Sequence, residues 1–181
     1  MEEEKKAKNP FIFDLVSIVS TAVVIVTFVF LFFFRTVGVS GTSMFPTLNN
    51  GDRIILSAFV TEPHYGDIVV TCQPAGNVNM EETLVKRVIA TEGQTVDIDF
   101  DKGIVYVDGK ALDEPYVNEL TYTKEDFRGP KTVPEGHVFV MGDNRNASTD
   151  SRDLRVGYIR EDYLLGKALF RVMPFGNWRI G

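Results

Sequence analysis

The sequence predicts a mostly β domain that follows one N-terminal transmembrane helix. Residues 15–34 contain no charged side chain, whereas the chain beyond Arg35 consists of short apolar stretches separated by Gly, Pro, Asn and Asp. The first pattern is typical of a membrane-spanning helix, and the second is typical of strands joined by turns. The chain has 181 residues, of which 44% are hydrophobic, so it can bury one core of ordinary size.

The predicted helix is the first element of the chain. At about 1.5 Å per residue, the run at 15–34 spans about 30 Å as a helix, which is the thickness of the hydrocarbon core of a bilayer. A cleaved signal peptide usually has a shorter apolar region before a small-residue cleavage site, and a buried core helix usually has a polar stripe. Here the run is long and is closed by Arg35, which favours a membrane anchor.

The positive charges around the helix predict its orientation. Lys5, Lys6 and Lys8 precede the apolar run, whereas Arg35 alone follows it closely. An excess of positive charge marks the cytoplasmic side of a span. We therefore expect a cytoplasmic segment at 1–14, a transmembrane helix at 15–34 and an extracytoplasmic domain at 35–181, in a single-pass protein of the cell membrane.

Short apolar runs predict the strands of the outer domain. They are residues 53–56, 68–72, 84–90, 95–99, 104–107, 137–141 and 164–172. Asp108 and Gly109 stand between two apolar runs and predict a tight hairpin, because both positions tolerate a positive φ. The polar, proline-containing stretch at 113–134 is interpreted as a surface excursion, and residues 161–165 have a helical turn as an alternative to a strand.

Charge and cysteine content exclude several classes of function. The 19 Lys and Arg residues are outnumbered by 25 Asp and Glu, giving a net charge of −6, which argues against nucleic-acid binding through phosphate neutralisation. Cys72 is the single cysteine, so an internal disulfide is excluded. No Cys/His cluster indicates zinc, and the residues after Asp143 do not match a calcium loop, so we expect no metal or other cofactor.

Three segments contain side chains suited to chemistry. Residues 39–48 are rich in hydroxyls and include Gly41 and Pro46, and Ser43 in such a turn can expose its hydroxyl beside its own N–H. Lys86 lies in a strand whose two faces are both largely apolar, where it either reaches an edge or is desolvated with a lowered pKa. Residues 141–152 form a polar loop after a strand, able to orient such a lysine.

These segments together predict a Ser/Lys catalytic pair, with a Ser-His-Asp triad as the competing arrangement. Only His64 and His137 are available for a triad. His64 lies in an ordinary turn sequence, and His137 begins a predicted strand.

The ordered motifs of the chain resemble those of bacterial type I signal peptidases of the short form with one anchor. The apolar span is followed by residues 43–48 (SMFPTL), then 66–67 (GD), 86–87 (KR) and 142–145 (GDNR). Ser148, Asp150, Ser151 and Arg152 follow the last motif. The resemblance covers nearly the whole chain and implies an antiparallel, barrel-like β domain that acts as a peptidase.

The resemblance also implies a role for each motif residue. Ser43 is expected to be the nucleophile and Lys86 the general base, with Ser148 holding the lysine amine by a hydrogen bond. The remaining supports are an ion pair between Asp150 and Arg152, together with Asp143 and Arg145.

Gly41 is a departure from some members of that family, which carry at this position a serine that stabilises the oxyanion. The oxyanion hole is then expected to use the Ser43 N–H, with Gly41 conformational freedom or a hydroxyl from Ser40 or Thr42 as the second contribution. Loss of one such donor costs about 10² to 10³ in rate in an enzyme built around it.

The implied substrate is the signal peptide of an exported pre-protein, cut after small residues. Val37, Val39 and Val85 are expected to form shallow apolar pockets for those residues, and Phe45, Leu48 and Phe59 to contribute an apolar docking surface near Ser43. Membrane lipid and nearby export machinery are the expected partners. The alternatives are a catalytically silent assembly factor, which would be expected to lack Ser43 or Lys86, and a self-cleaving regulatory protease, which would carry a DNA-binding domain in place of the anchor.

Overall fold

The computed structural model describes residues 10–58, 62–72 and 83–180, and the chain forms two compact units divided between Phe34 and Arg35. The first unit contains helix α1 (Pro10–Phe33), whose side chains from Phe11 onward are exposed. Residues 11–33 are long and apolar enough to cross a membrane. The helix begins before the predicted span and includes Asp14, because one carboxylate near a helix start does not interrupt an apolar run. Lys5, Lys6 and Lys8 lie outside the described residues.

From Phe34 onward the described residues form two β-sheets. The strands are β1 (Phe34–Gly38), β2 (Arg53–Ser57), β3 (Ile68–Thr71), β4 (Leu84–Thr91), β5 (Thr95–Asp99), β6 (Ile104–Val107), β7 (Lys110–Ala111), β8 (Lys131–Thr132), β9 (His137–Met141), β10 (Ile159–Arg160) and β11 (Leu164–Met173). The larger sheet has the order β1-β2-β11-β3-β4-β9-β10, and the smaller has the order β7-β6-β5-β8. The pairings from β2 to β10 across the larger sheet are antiparallel, as are those of the smaller sheet.

The predicted fold class, mostly β behind an apolar helix, is confirmed. Asp108 and Gly109 have φ values of 51° and 75° and connect β6 to β7, as the hairpin signal indicates. The short strands β8 and β10 were not predicted, because a two-residue strand has no periodicity. Residues 161–163 form a 3₁₀ turn immediately before β11, so both the helical turn and the strand are present.

β4 lies between β3 and β9 in the larger sheet and is covered on both faces. Val88 packs in one apolar cluster, and the next residue, Ile89, packs in another. Ionised side chains in this strand therefore lie in the interior of the fold, away from water.

The interpretation of residues 113–134 as a surface excursion is wrong for several of them. Phe127 and Val133 are each 1% exposed and belong to the core cluster around Phe139, and Thr121 is fully buried. Isolated apolar residues among prolines and charges have no periodicity, so the sequence does not distinguish a core contact from an exposed one here.

Candidate active site

Ser43 lies in a compact turn between β1 and β2. Met44 and Leu48, which are 1% and 0% exposed, anchor this turn in an apolar cluster of the larger sheet. The Leu48 N–H donates to the Met44 carbonyl at 2.9 Å, and Gly41 enters the turn with a φ of +87°. The half-buried Ser43 is thus held in place by buried apolar neighbours in the same turn.

Lys86 reaches this serine from β4. Its Nζ atom lies 2.8 Å from Ser43 Oγ, within hydrogen-bond distance, and the residue is 3% exposed. Burial lowers the pKa of the Lys86 ammonium from its ordinary value, while the carboxylate of Asp150 raises this pKa in part. A neutral amine beside a hydroxyl is the arrangement that general-base activation of a nucleophile requires.

The neighbouring Arg87 points into a different buried contact. Its Nε and Nη2 atoms donate to the two oxygens of Asp143 at 2.8 and 2.7 Å, in a bidentate pair. Thr47 Oγ1 donates to the same carboxylate. Met141 is the last residue of β9, so the polar loop comprises residues 142–152. Asp143 therefore joins this loop both to β4 and to the turn that contains Ser43, here called the serine turn.

Asp150 and Arg152 form a second ion pair inside that loop. Arg152 Nε lies 2.8 Å from Asp150 Oδ1, and both side chains are fully buried. Asp150 Oδ2 also accepts from the Gly142 N–H at 3.0 Å, and Arg152 Nη1 donates to the Thr123 carbonyl at 2.8 Å. The loop is thus fixed at both of its ends.

Arg145 takes its partner from residues that the sequence analysis did not single out. Its guanidinium contacts Glu114, with an Nη2 to Oε1 distance of 2.6 Å, and Nη1 donates to Thr121 Oγ1 at 2.9 Å. The Tyr116 ring lies 3.9 Å from the Arg87 guanidinium carbon. In the sequence, Glu114 is one acidic residue in a polar, proline-containing stretch, and nothing there indicates that it is the buried partner of an arginine.

Gly142 allows the loop and the serine turn to approach each other closely. A Cβ atom at this position would lie 2.2 Å from Ser148 Oγ and 2.4 Å from the Ser43 carbonyl oxygen, distances that no side chain tolerates. Ser148 Oγ is buried and has no hydrogen-bond partner among the described residues, so the expected bond to Lys86 is not formed in this structure. Its hydroxyl lies beside the serine turn with its donor free.

The family model described as signal peptidase, peptidase S26, matches residues 12–173 of this chain. The chain belongs to this signal peptidase family. The signal peptidase I of Bacillus licheniformis is 37% identical over 98% of this chain and 97% of its own length. Signal peptidase I S of Bacillus subtilis is 33% identical over 99% of this chain and 98% of its own. The expected family and the expectation of a peptidase are confirmed.

Two further relatives are similar to shorter parts of this signal peptidase family member. A probable signal peptidase I-1 of Synechocystis sp. is 41% identical over 75% of this chain and 69% of its own length. A crystal structure of a signal peptidase I from Enterococcus faecalis V583 is 31% identical, covers 60% of this chain and 98% of that one, and superposes with a TM-score of 0.47.

A groove of about 590 Å³ in this signal peptidase family member has Ser43 and Lys86 on its wall. The three predicted substrate-binding valines line it, Val39 being 6% exposed and Val37 and Val85 half-buried. Ala147 and Thr149 form a further part of the wall. The sequence does not point to these two residues, because nothing in a polar loop indicates which side chains face a groove.

The Gly41 N–H is not available as a donor to an oxyanion. The Gly41 N–H donates to Asn50 Oδ1 at 2.9 Å and is therefore occupied. No described residue accepts a hydrogen bond from the Ser43 N–H.

The expected apolar docking surface is only partly present. Phe45 is 41% exposed, whereas Leu48 is fully buried and cannot contribute. Phe59 lies outside the described residues.

Neither histidine lines the groove that contains Ser43. His64 is exposed, and His137 Nδ1 lies 2.7 Å from the Glu135 carbonyl oxygen. Within residues 10–58, 62–72 and 83–180, no cluster of His, Cys, Asp and Glu could hold a metal ion.

Proposed function

We propose that this protein cleaves N-terminal signal peptides from exported pre-proteins after small residues, with Ser43 as nucleophile and Lys86 as general base. The observation that carries the proposal is the 2.8 Å distance between Lys86 Nζ and Ser43 Oγ, with the amine buried and its pKa lowered. Burial increases the neutral fraction of the Lys86 amine at a given pH by lowering its pKa, and only the neutral amine accepts a proton.

The reaction proceeds through an acyl-enzyme. The neutral Lys86 amine takes the Ser43 proton as Oγ attacks the scissile carbonyl carbon, and the carbonyl oxygen becomes negatively charged. Collapse of this intermediate breaks the C–N bond, and the Lys86 ammonium gives its proton to the leaving amine. Lys86 then takes a proton from a water molecule as the water oxygen attacks the ester carbon. The Lys86 ammonium returns this proton to Ser43 Oγ as the ester C–O bond breaks, which releases the signal peptide with a free carboxylate.

The supporting residues hold the pair in place. The Asp150–Arg152 and Asp143–Arg87 ion pairs fix the polar loop against β4. Arg145 stabilises the loop through Glu114. The buried Ser148 hydroxyl makes no hydrogen bond to Lys86 in this structure, and its role as the group that holds the amine is part of the proposal.

The groove accepts an extended peptide. Val37, Val39 and Val85 present small apolar surfaces beside Ser43, so small side chains before the cut fit where larger ones do not. Backbone hydrogen bonds from the flanking segments, one leading out of β1 and one entering β4, supply affinity without demanding a particular sequence.

The location of the substrate agrees with an anchor at α1. A signal peptide lies in the bilayer with its cleavage site near the outer surface, and Ser43 follows the end of α1 by ten residues. We propose a cytoplasmic N-terminus and an extracytoplasmic catalytic unit, close to lipid and to the export machinery.

Cleavage of a signal-peptide-bearing precursor in detergent tests the proposal. The wild type is compared with Ser43→Ala, Lys86→Ala and Lys86→Arg, and mass spectrometry identifies the new N-terminus. We expect cleavage after a small residue by the wild type alone, because arginine at position 86 stays protonated and cannot act as a base.

Each other outcome identifies a different function. Cleavage that survives Lys86→Ala would favour a histidine base, and an uncut precursor with folded wild type and an active control peptidase would favour the assembly factor. The present contacts of His64 and His137 support neither as the base.

A further inference from the structure

One residue, Asn144, is bonded to the peptide groups on both sides of the Ser43 Cα atom. The Asn144 N–H donates to the Ser43 carbonyl at 3.0 Å. Its side-chain Nδ2 donates to the Thr42 carbonyl at 3.1 Å. The peptide that precedes Ser43 and the peptide that follows it are thus both held by the polar loop at 142–152.

Among the described residues, the Asn144 side chain donates no hydrogen bond within its own loop. Asn144 stands at the N-cap position of the 3₁₀ turn Arg145–Ala147, yet its side chain makes no capping hydrogen bond there. The Thr42 carbonyl also accepts from the Phe45 N–H at 3.1 Å, a bond that closes the turn locally. Within the part of the chain that the structure describes, the bond from Asn144 is the one that ties this carbonyl to the loop that carries Gly142 and Asp143.

The orientation of the Thr42 carbonyl determines where the Ser43 N–H points. The 42–43 peptide is trans and planar, so its carbonyl and its N–H point in opposite directions. Since the carbonyl faces Asn144, the Ser43 N–H faces away from it. The neighbouring Gly41 N–H is occupied by Asn50, and glycine supplies no hydroxyl, so the Ser43 N–H carries a large share of any oxyanion stabilisation in this turn.

We propose that Asn144 is a positioning residue of the oxyanion hole, whose side-chain amide fixes the 42–43 peptide so that the Ser43 N–H meets the developing negative charge. The inference rests on the proposed function of Ser43 as the nucleophile. Asn144 is not part of the groove wall, so it acts through Thr42 and does not touch the substrate.

Kinetic analysis of Asn144→Ala and the isosteric Asn144→Asp tests this role in the full-length enzyme. An oxyanion donor that is free to rotate loses part of its transition-state contribution, so we expect kcat to fall about tenfold or more in both variants. KM is expected to stay near the wild-type value, because groove binding is unchanged. For Asn144→Ala, the pH at which activity is half-maximal is also expected to be unchanged, because Lys86 keeps its surroundings.

A peptide aldehyde provides a readout that a purely structural role would not move. The aldehyde forms a tetrahedral adduct on Ser43 whose oxygen occupies the oxyanion site, whereas an uncleavable peptide of the same sequence does not. Aldehyde inhibition is expected to weaken by the same factor as kcat/KM, and the affinity for the uncleavable peptide to stay constant.

Asn146→Ala is the matched control, because this second asparagine of the same loop bonds the backbone of Leu120, Tyr122 and Thr123 and not the serine turn. Its kcat per folded molecule is expected to equal that of the wild type. A wild-type kcat in both Asn144 variants, or an aldehyde affinity that does not follow kcat/KM, would overturn the inference. Failure of the proposed function is separate, since it would show as an inert wild type or an active Ser43→Ala.

Discussion

Lys86 combines two opposing requirements in one side chain. The fold buries the amine in β4, which disfavours the ammonium and lowers its pKa, and the same burial provides the neutral amine that the proposed mechanism needs. The chemistry of the pair and the stability of the fold are therefore linked through one proton.

The pH dependence of activity follows from the lowered pKa of Lys86. In the proposed mechanism the neutral amine is the active form. The logarithm of kcat is therefore expected to rise with pH by about one per pH unit below that pKa and to level off above it. Cleavage of the precursor from mildly acidic to alkaline pH measures this. A flat profile, with the chemical step shown to limit the rate, would contradict the role of Lys86.

The same burial predicts that Lys86→Met stabilises the fold while it abolishes cleavage. Between the lowered pKa in the folded chain and the ordinary value of about 10.4 in the unfolded chain, only the unfolded chain binds the proton, so wild-type stability rises with pH over that window. The methionine variant has no such dependence. Its Tm is expected to exceed that of the wild type by a few degrees at neutral and acidic pH, and the difference to shrink toward pH 10.

Gly142 is a position where the addition of one methyl group is expected to disturb the site. In Gly142→Ala, the new methyl would overlap Ser148 Oγ and the Ser43 carbonyl, so the loop must move away from the serine turn. We expect kcat to fall about a hundredfold, the effect of a misplacement of about 1 Å at a reacting group. Gly136→Ala is the control: its Cβ meets no atom within 4 Å, although its positive φ costs some stability, and comparable loss there would contradict the steric explanation.

At the level of elements, the segment at 113–121 supplies partners for one buried cation of the polar loop and one of β4. Glu114 pairs with Arg145, which is 1% exposed, and Tyr116 lies over the Arg87 guanidinium. This irregular segment thus provides a carboxylate and an aromatic ring to two buried guanidinium groups.

Removal of the Glu114 carboxylate tests that contribution. Glu114→Ala leaves a buried Arg145 without its carboxylate, which costs about 3 kcal/mol or more of unfolding free energy. Denaturant unfolding of the folded unit measures this loss. Glu119→Ala, at an exposed position of the same segment, is expected to change stability by less than about 0.5 kcal/mol. Equal effects of the two variants would show that the ion pair is not the cause.

At the scale of the whole molecule, the proposed topology places the two ends of α1 on opposite sides of the membrane. Cys72 is the single cysteine and is exposed, so a membrane-impermeant maleimide is expected to label it in intact spheroplasts. In a Cys72→Ser chain that carries Lys6→Cys, labelling is expected only after the membrane is permeabilised. The reverse pattern would overturn the proposed orientation.

The sequence alone predicted the elements whose signal is local. An uncharged apolar run indicated α1, alternating strands indicated most of the sheet, and Asp108 with Gly109 indicated a hairpin through their tolerance of a positive φ. The order of four motifs indicated the family and nominated Ser43 and Lys86, because residue identity and order are properties of the chain itself. None of these inferences needed to know what lies beside a given residue in space.

Only the tertiary structure decided which charged groups meet. Arg87 pairs with Asp143 across 56 positions of sequence, Arg145 pairs with Glu114 across 31, and Asn144 reaches the carbonyl of Thr42 across 102. A carboxylate is suited to any cation within reach, and the packing of strands determines which cation is within reach. Phe127 is buried for the same reason: burial depends on what the rest of the chain places around a side chain, and a sequence without periodicity contains no record of it.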